Sequence, residues 1–539
     1  MTTSGRGAGW ALPLLVLVLG TFLSALGTSI INVAISAIQR DFGGGMDSVR
    51  WVSTAYLLTL GISTATSSWF TERFGATRVF LACMVVFTIA SALCGIAWDL
   101  PTLIGFRVLQ AIPGGIIPVV AMQLIYRLVP AEKIGGAMGI YGMGVILAPA
   151  LGPALGGWLV EDTSWHLVFF IKVPVGIIGI IAALVIFPRN AETSRPRFDL
   201  PGFAAIATAL ATMTVAADRG PDWGWTSYGI LILATVSVLC FALFVVIELE
   251  VDQPLINIRV VRTLVYSNSL VLIAISAVGL FALLYYVPLY LQTNKGFSSL
   301  DAGLLMMPSA LTMAVLAPAA GRLLDRFGGR WPITIGLAVA AYGSLLLAQI
   351  TPDVPREQLV LWTTIRNIGV GLSMMPIMAA GVSALPPALI NAGSTLANVV
   401  MRTASSLGVA VFGGLQTAQQ AQLMADRGGL ITHDPASPAP LLDAAAKGVA
   451  GLAPLYKQLV KHVGTTTYAN AFYVVAVMTG IGAAMGLMMR GKPRAAPAAK
   501  PAAPAAAPAK ARADARSAPV RVPSPHNGRM DTPAPARRR

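Results

Sequence analysis

Long apolar runs, broken by short polar connections, recur along the chain from Ala11 to Met489. A helix needs about 20 mostly apolar residues to cross about 30 Å of hydrocarbon. Backbone groups left bare in lipid are costly, so such runs must be helices. They predict fourteen membrane spans, at 11–38, 51–69, 79–97, 102–126, 137–160, 167–187, 201–217, 229–249, 266–291, 302–320, 332–350, 359–383, 395–416 and 467–489. The seventh is short and rich in Thr and Ala. The connection 417–466 is long and polar, with repeated Gly and Pro, and predicts a partly helical excursion rather than a domain.

Charge gives the orientation. With the N-terminus (1–10) cytoplasmic, twelve Lys/Arg fall in inner connections, against five (Arg40, Arg50, Arg219, Lys295 and Arg356) in the short outer ones. Positive residues favour the inner side, so both termini are expected in the cytoplasm. Composition agrees with a membrane protein: 55% of residues are apolar, only 11% are charged, and mean hydropathy is +0.71. Soluble proteins carry about 25% charged residues. A soluble enzyme, a disordered protein and a disulfide scaffold are all excluded. The net charge of +15 would otherwise point to nucleic acid, but ten of those charges lie in 490–539. That Ala/Pro/Lys/Arg-rich tail cannot bury a core and is expected to be disordered. No nucleic-acid partner follows from it.

Catalytic chemistry is absent from the pattern. Cys83, Cys94 and Cys240 lie in apolar runs without metal-ligand spacing, and none of the four histidines pairs with Cys, Asp or Glu at a catalytic or metal spacing. There is no Walker-type phosphate loop, so ATP does not drive the protein directly. The first apolar run is too long for a signal-peptide core and reads as a retained span.

An internal repeat orders the spans. After span 2 the chain reads Ser68-Trp-Phe-Thr-Glu72-Arg73-Phe74-Gly75-Ala-Thr-Arg78; after span 10 it reads Gly321-Arg-Leu-Leu-Asp325-Arg326-Phe327-Gly328-Gly-Arg330. Span 4 holds Arg107 and span 12 holds Arg366, at the same offset of eight spans. The repeat predicts two six-helix halves, 11–187 and 266–489, with spans 7 and 8 inserted in a linker at 188–265. Duplicated halves with a site between them are usual for secondary transporters. Each loop brings acid and base to helix ends, where a cation is favoured at a C-terminus. Their pairing is expected to latch the halves together.

Span 5 contributes a second pattern. Gly144, Ala148, Gly152 and Gly156 recur every four residues and form one small-residue stripe for close helix contact. Pro149 and Pro153 each remove a backbone donor and favour bending. A smooth, bent helix of this kind suits a seal between the halves. A charge in mid-membrane costs about 2.5–3.5 kcal/mol on insertion scales and marks function by default. Arg107 is therefore expected to face the cavity and set the proton affinity of a neighbouring acid or water. Arg366 and Arg402 are the other charges well inside spans; Lys172 lies near the mouth of span 6 and Glu248 near the end of span 8.

These motifs resemble those of the major facilitator superfamily. The two loops are similar to its G-x-L-x-D-R-x-G-x-R motif, Arg107-Val-Leu-Gln110-Ala111 to R-x-x-Q-G, and Gly152-Pro153-Ala-Leu-Gly156-Gly157 to the G-P-x-x-G-G motif of its exporters. Trp165-His166 through Gly176, Phe198-Asp199-Leu-Pro-Gly202, Pro288-Leu-Tyr-Leu-Gln292, Arg366-Asn-Ile-Gly369 and Asn398-Val-Val-Met-Arg402 resemble the fourteen-helix drug:proton antiporter branch. The resemblance implies an all-α membrane fold and a secondary exporter of amphiphilic small molecules, driven by the proton gradient without a bound cofactor. It places Asn32, Arg107, Gln110, Arg366, Asn398 and Arg402 at the cavity, and the chain in a bacterial inner membrane, with a periplasmic adaptor as an optional partner. An exporter of one endogenous metabolite or lipid is the same-fold alternative, and a non-transporting receptor the alternative of another class. Three positions depart from the branch. Gly27 stands in Ala25-Leu-Gly27-Thr-Ser-Ile-Ile-Asn32 where a carboxylate is usual, and His166 and Lys172 stand where Arg and Asn are usual.

Overall fold

The computed structural model describes residues 10–43, 45–187, 196–433 and 449–489. The tail expected to be disordered lies outside them. Among the described residues, seventeen α-helices and three short 3-10 turns carry the regular structure, and thirteen segments are long and apolar enough to cross a membrane. The fourteenth span is Met46–Ala65, whose Ser, Thr and charged residues lower its hydropathy. Several of its hydroxyls find partners inside the protein: Thr64 donates to Leu60 O at 2.8 Å and Ser63 to Thr59 O at 2.7 Å, while Thr54 donates to the Asp218 carboxylate at 3.1 Å.

Three spans are broken into two helices each. Span 1 is α1 (Ala11–Ser29) and α2 (Ile31–Phe42), interrupted at Ile30; span 2 is α3 (Met46–Ala65) and α4 (Ser67–Phe74). Then follow α5 (Ala76–Gly95), α6 (Leu100–Leu128) and α7 (Ile134–Asp162), while α8 (Leu167–Phe170) and α9 (Lys172–Ile186) make span 6. The inserted pair is α10 (Leu200–Trp223) and α11 (Tyr228–Glu250). The second half comprises α12 (Leu264–Thr293), α13 (Ser299–Phe327), α14 (Arg330–Leu347), α15 (Arg356–Ser383), α16 (Ile390–His433) and α17 (Val449–Gly486). Most of the connection predicted at 417–466 is thus a continuation of the last two spans, and its centre, 434–448, lies outside the described residues.

One apolar core runs through both halves, from Leu17 and Phe80 to Met375 and Met378. The inserted hairpin lies at the edge, with α10 against both α3 and α16. Leu231, Ile232, Val238, Leu239 and Val246 of α11 point outward, as lipid contact requires.

The small-residue stripe of span 5 does not lie where a seal would place it. Gly144 abuts Val18, Gly152 abuts Ser29 and Ile30, and Gly156 abuts Ile30, all within the first half. The Ser29 hydroxyl donates to Ala148 O at 3.2 Å. The stripe is therefore the seat of the broken first span. Pro149 and Pro153 fall within one continuous helix, Gly157 is buried, and the side chain of Pro153 is outside those described. A Cβ on Gly156 would come within 2.8 Å of Ile30 O. Gly156→Leu should lower stability by about 1–3 kcal/mol through overpacking, read as an earlier thermal transition of the purified protein in detergent. An unchanged transition would show that α1 and α2 are free to move off the stripe.

Candidate functional site: two latches and a buried cation pair

The two repeated loops end helices by the same device. Gly75 closes α4 with φ 86° and Gly328 closes α13 with φ 78°, a region in which side chains with a Cβ are strained. This accounts for the glycine after Arg73-Phe74 and Arg326-Phe327. Upstream the loops differ. Gly321 meets the backbone of Gly135 on α7, and Gly139 meets Ala317 and Pro318, so the two chains approach without side chains between them. Asp325 then accepts from the N–H of Gly135 at 2.8 Å and of Gly136 at 2.7 Å. A carboxylate on a helix N-terminus satisfies orphan donors and meets the positive end of the helix dipole.

This latch is acid to backbone. Arg326 lies 5.2 Å from the Phe327 ring and Arg330 5.5 Å from the Trp331 ring. In the second loop the halves are therefore joined by acid to backbone, not by the acid–base pairing that the repeat implied. In the first loop Ser68 shares a 3.0 Å hydroxyl contact with Thr395 of α16. Glu72 stands beside Arg127, which donates to Asn391 Oδ1 at 3.2 Å. Arg73 is half-buried and Arg78 exposed. Gln123 and Tyr126 add bonds to Asn391 O and Ala379 O, and Asn398 reaches Met122 Sδ at 3.9 Å. The halves are thus tied together at the end that carries the repeated loops.

The second centre lies toward the opposite end of the first half. Arg107 is fully buried, and its guanidinium donates to Gly27 O at 3.2 Å, Val52 O at 3.3 Å and Gln110 Oε1 at 2.7 Å. Gln110 passes the chain on to Ser91. The guanidinium carbon stacks 3.7 Å from the Tyr56 ring centroid. Among the described residues no carboxylate pairs with Arg107. The arginine does not face open space beside an acid, as its position in the sequence implied; backbone, amide and ring solvate it.

Gly27 is explained by the same geometry. A Cβ there would come within 2.9 Å of Tyr56 Oη, and a Cβ at Gly114 within 3.0 Å of the same oxygen. The tyrosine hydroxyl fills the notch that an aspartate side chain at position 27 would need. Lys172 completes the cluster: it is 1% exposed, and its amine has no hydrogen-bond partner among the described residues.

The other expected cavity residues are dispersed. Arg366 donates to Asn367 Oδ1 at 3.2 Å, and Asn367 donates to Ser309 at 3.1 Å, within the second half. Arg402 interacts electrostatically with Tyr56 and Tyr141 across the halves. Asn32 lies in α2, with its side chain outside those described. Sequence reasoning missed Tyr56, whose role is set by two distant glycines, and the Gly135–Gly136 pair, whose only signal is a doubled glycine at the start of a span. It also undervalued Asp199 and Glu248. Both are buried, and a Cβ on Gly202 would touch both carboxyl groups.

Residues 17–409 match the sequence profile of the Major Facilitator Superfamily. The chain belongs to that superfamily. It is 33% identical over 404 residues to an uncharacterised MFS-type transporter of Bacillus subtilis, covering 75% of this chain and 76% of the relative. It is 30% identical over 502 residues to the tetracenomycin C resistance and export protein of Streptomyces glaucescens, covering 90% and 92%. A multidrug resistance protein B homolog of Mycobacterium tuberculosis is 30% identical over 413 residues, covering 75% and 76%. Among solved structures, the proton:xylose symporter XylE matches with a TM-score of 0.58 at 14% identity, over 89% of this chain and 95% of that one. The human organic anion transporter MFSD10 matches with a TM-score of 0.54 at 13% identity, over 87% and 99%. These two likenesses concern the fold. Superfamily members are transporters rather than enzymes, and this chain is a multi-pass membrane transporter of the same architecture.

The Asp325 latch makes a direct prediction. Asp325→Ala leaves the Gly135 and Gly136 N–H groups without their partner, at about 1–3 kcal/mol for buried donors. Single cysteines placed along the facing surfaces of α7 and α13 should then react faster with a water-soluble maleimide. Equal labelling rates with and without the substitution would mean that backbone packing alone holds this end shut.

Proposed function

We propose that the chain is a secondary active exporter of amphiphilic small molecules, exchanging substrate for protons by alternating access. It would sit in the bacterial cytoplasmic membrane with both termini inside, so that the latched end is the cytoplasmic one. The observation that carries this reading is the Asp325 contact between halves, made by a loop repeated in the other half. Such a contact can be made and broken without unfolding either half, which a rocking transporter requires. The name of the Streptomyces relative, a resistance and export protein, supports export as the direction, and that of the Mycobacterium relative supports drugs as the cargo. No bound cofactor is needed, since the proton gradient supplies the energy.

A specific observation favours a second reading, export of one endogenous compound. The Streptomyces relative, matched over 90% of this chain and 92% of its own length, is named for resistance to and export of a single compound. Breadth of substrate separates the two readings.

Reconstitution in proteoliposomes with an imposed pH gradient tests the proposal. Gradient-driven movement of several unrelated amphiphiles supports the broad exporter, movement of one compound supports the narrow one, and movement of none that follows the gradient sinks both. Charge should matter as well. Arg107 is a buried cation with no acid beside it among the described residues, and two unit charges 4 Å apart at an effective dielectric of 20 interact by about 4 kcal/mol. Neutral amphiphiles should therefore be moved in preference to dications of the same size. Equal rates for a matched neutral and dicationic pair would place the substrate path away from this cluster.

A further inference from the structure

Lys172 opens α9 deep in the first half, and its surroundings are unusual for an ammonium group. Its nitrogen lies 4.9 Å from the centroid of the Phe169 ring, and the Arg107 guanidinium carbon lies 5.8 Å from the same centroid. The ionisable groups that act on it are Arg107 from α6 and Cys94 from α5. α1 carries no ionisable side chain at all, and neither does α8. On α7, Tyr141 interacts with Arg402 instead and Asp162 is exposed at the helix end. Asp41 is engaged above the site, where its carboxylate accepts from the Trp165 indole at 2.9 Å. The Trp165 ring stacks on His166 at 3.8 Å and lies 6.1 Å from Phe169, so aromatic rings separate Lys172 from that rim.

Two buried cations without a counter-ion are costly. Arginine cannot relieve the cost, because it keeps its proton in proteins, whereas lysine can become neutral. The same half lacks the carboxylate expected at position 27, and the Tyr56 hydroxyl holds that space. We infer that Lys172 is the proton carrier of the exchange cycle, a role displaced from α1 to α9 in this chain. The step is simple. When the site faces the cytoplasm, one N–H bond of the ammonium breaks heterolytically; the electron pair stays on nitrogen and the proton passes to water. Substrate then occupies the site beside the neutral amine. When the site faces the other side, water returns a proton to that lone pair, and the renewed positive charge beside Arg107 helps expel the substrate. Proton and substrate exclude each other, which is the condition for antiport.

This inference rests on the proton-exchange reading, so its test has two arms. The first needs no substrate: thermal unfolding of the purified protein in detergent, followed above neutral pH, for wild type, Lys172→Met and Lys172→Arg. A lysine neutral in the fold and charged when unfolded releases one proton on folding, so stability rises with pH. The unfolding constant of wild type should fall by about tenfold more per pH unit than that of Lys172→Met. Lys172→Arg should lose the slope too, since arginine keeps its proton. The second arm compares pH-gradient-driven transport with gradient-free counterflow, using the amphiphiles that wild type moves. Lys172→Met should lose at least about tenfold in the driven rate and keep counterflow. Equal pH slopes in wild type and Lys172→Met overturn the assignment. Driven transport retained by Lys172→Met but lost in Glu248→Gln overturns it as well and moves the proton to the Asp199/Glu248 pair. Wild-type transport that ignores the gradient while the lysine slope persists sinks the exchange reading, and the carrier role with it.

Discussion

A guanidinium shut inside a membrane protein without a counter-ion must be solvated by the protein itself. Around Arg107 this requirement organises most of the first half. Two carbonyls, an amide and a tyrosine face take the place of water. The carbonyl from position 27 is within reach because α1 passes close to α6. The ring can stack because Gly27 and Gly114 leave its hydroxyl somewhere to go. Replacing any of these would leave a buried donor unpaired or a ring displaced, and such losses typically cost about 1–3 kcal/mol each. Missing aspartate and buried tyrosine are therefore two sides of one packing solution.

The fold was legible in the sequence because lipid imposes a simple rule on it. Runs of apolar residues must be helices, and the repeated Arg-Phe-Gly loops reveal the duplication. Even Met46–Ala65, polar for a span, fits once Ser63 and Thr64 are seen to bond to backbone and Thr54 to Asp218. The interruptions were not legible. Ile30 divides a run that is apolar on both sides, and nothing in its residue type marks a break.

The site was legible in part. Arg107, Gln110 and Asp325 stand out because polar groups are scarce in such a chain. Their partners do not, because those partners are backbone atoms: Gly27 O, Val52 O, and the N–H groups of Gly135 and Gly136. Backbone donors and acceptors carry no signature in a side-chain alphabet. The stripe on α7 was readable as a close-packing surface but not as to its neighbour, since small residues announce proximity without naming what comes near. Here the neighbour is α1 and α2, while the approach between halves uses Gly135, Gly139 and Gly321.

The two ties between the halves are unequal, although the loops that make them are copies. One is a carboxylate with two backbone bonds on a helix end; the other is spread over the Ser68–Thr395 hydroxyl contact and the bonds from Gln123 and Arg127 to Asn391. A door held by one bolt on one edge and a row of small catches on the other opens first where the catches can give way one at a time. Separation would begin along α4 and α16 and finish along α7 and α13, so the opening peels across the protein rather than parting down its middle. The first gap to admit water would then lie beside α10, which packs on α3 and α16 at that very edge. The two inserted helices would line the vestibule at the moment it forms, giving them a part in the cycle that the twelve-helix core alone would lack.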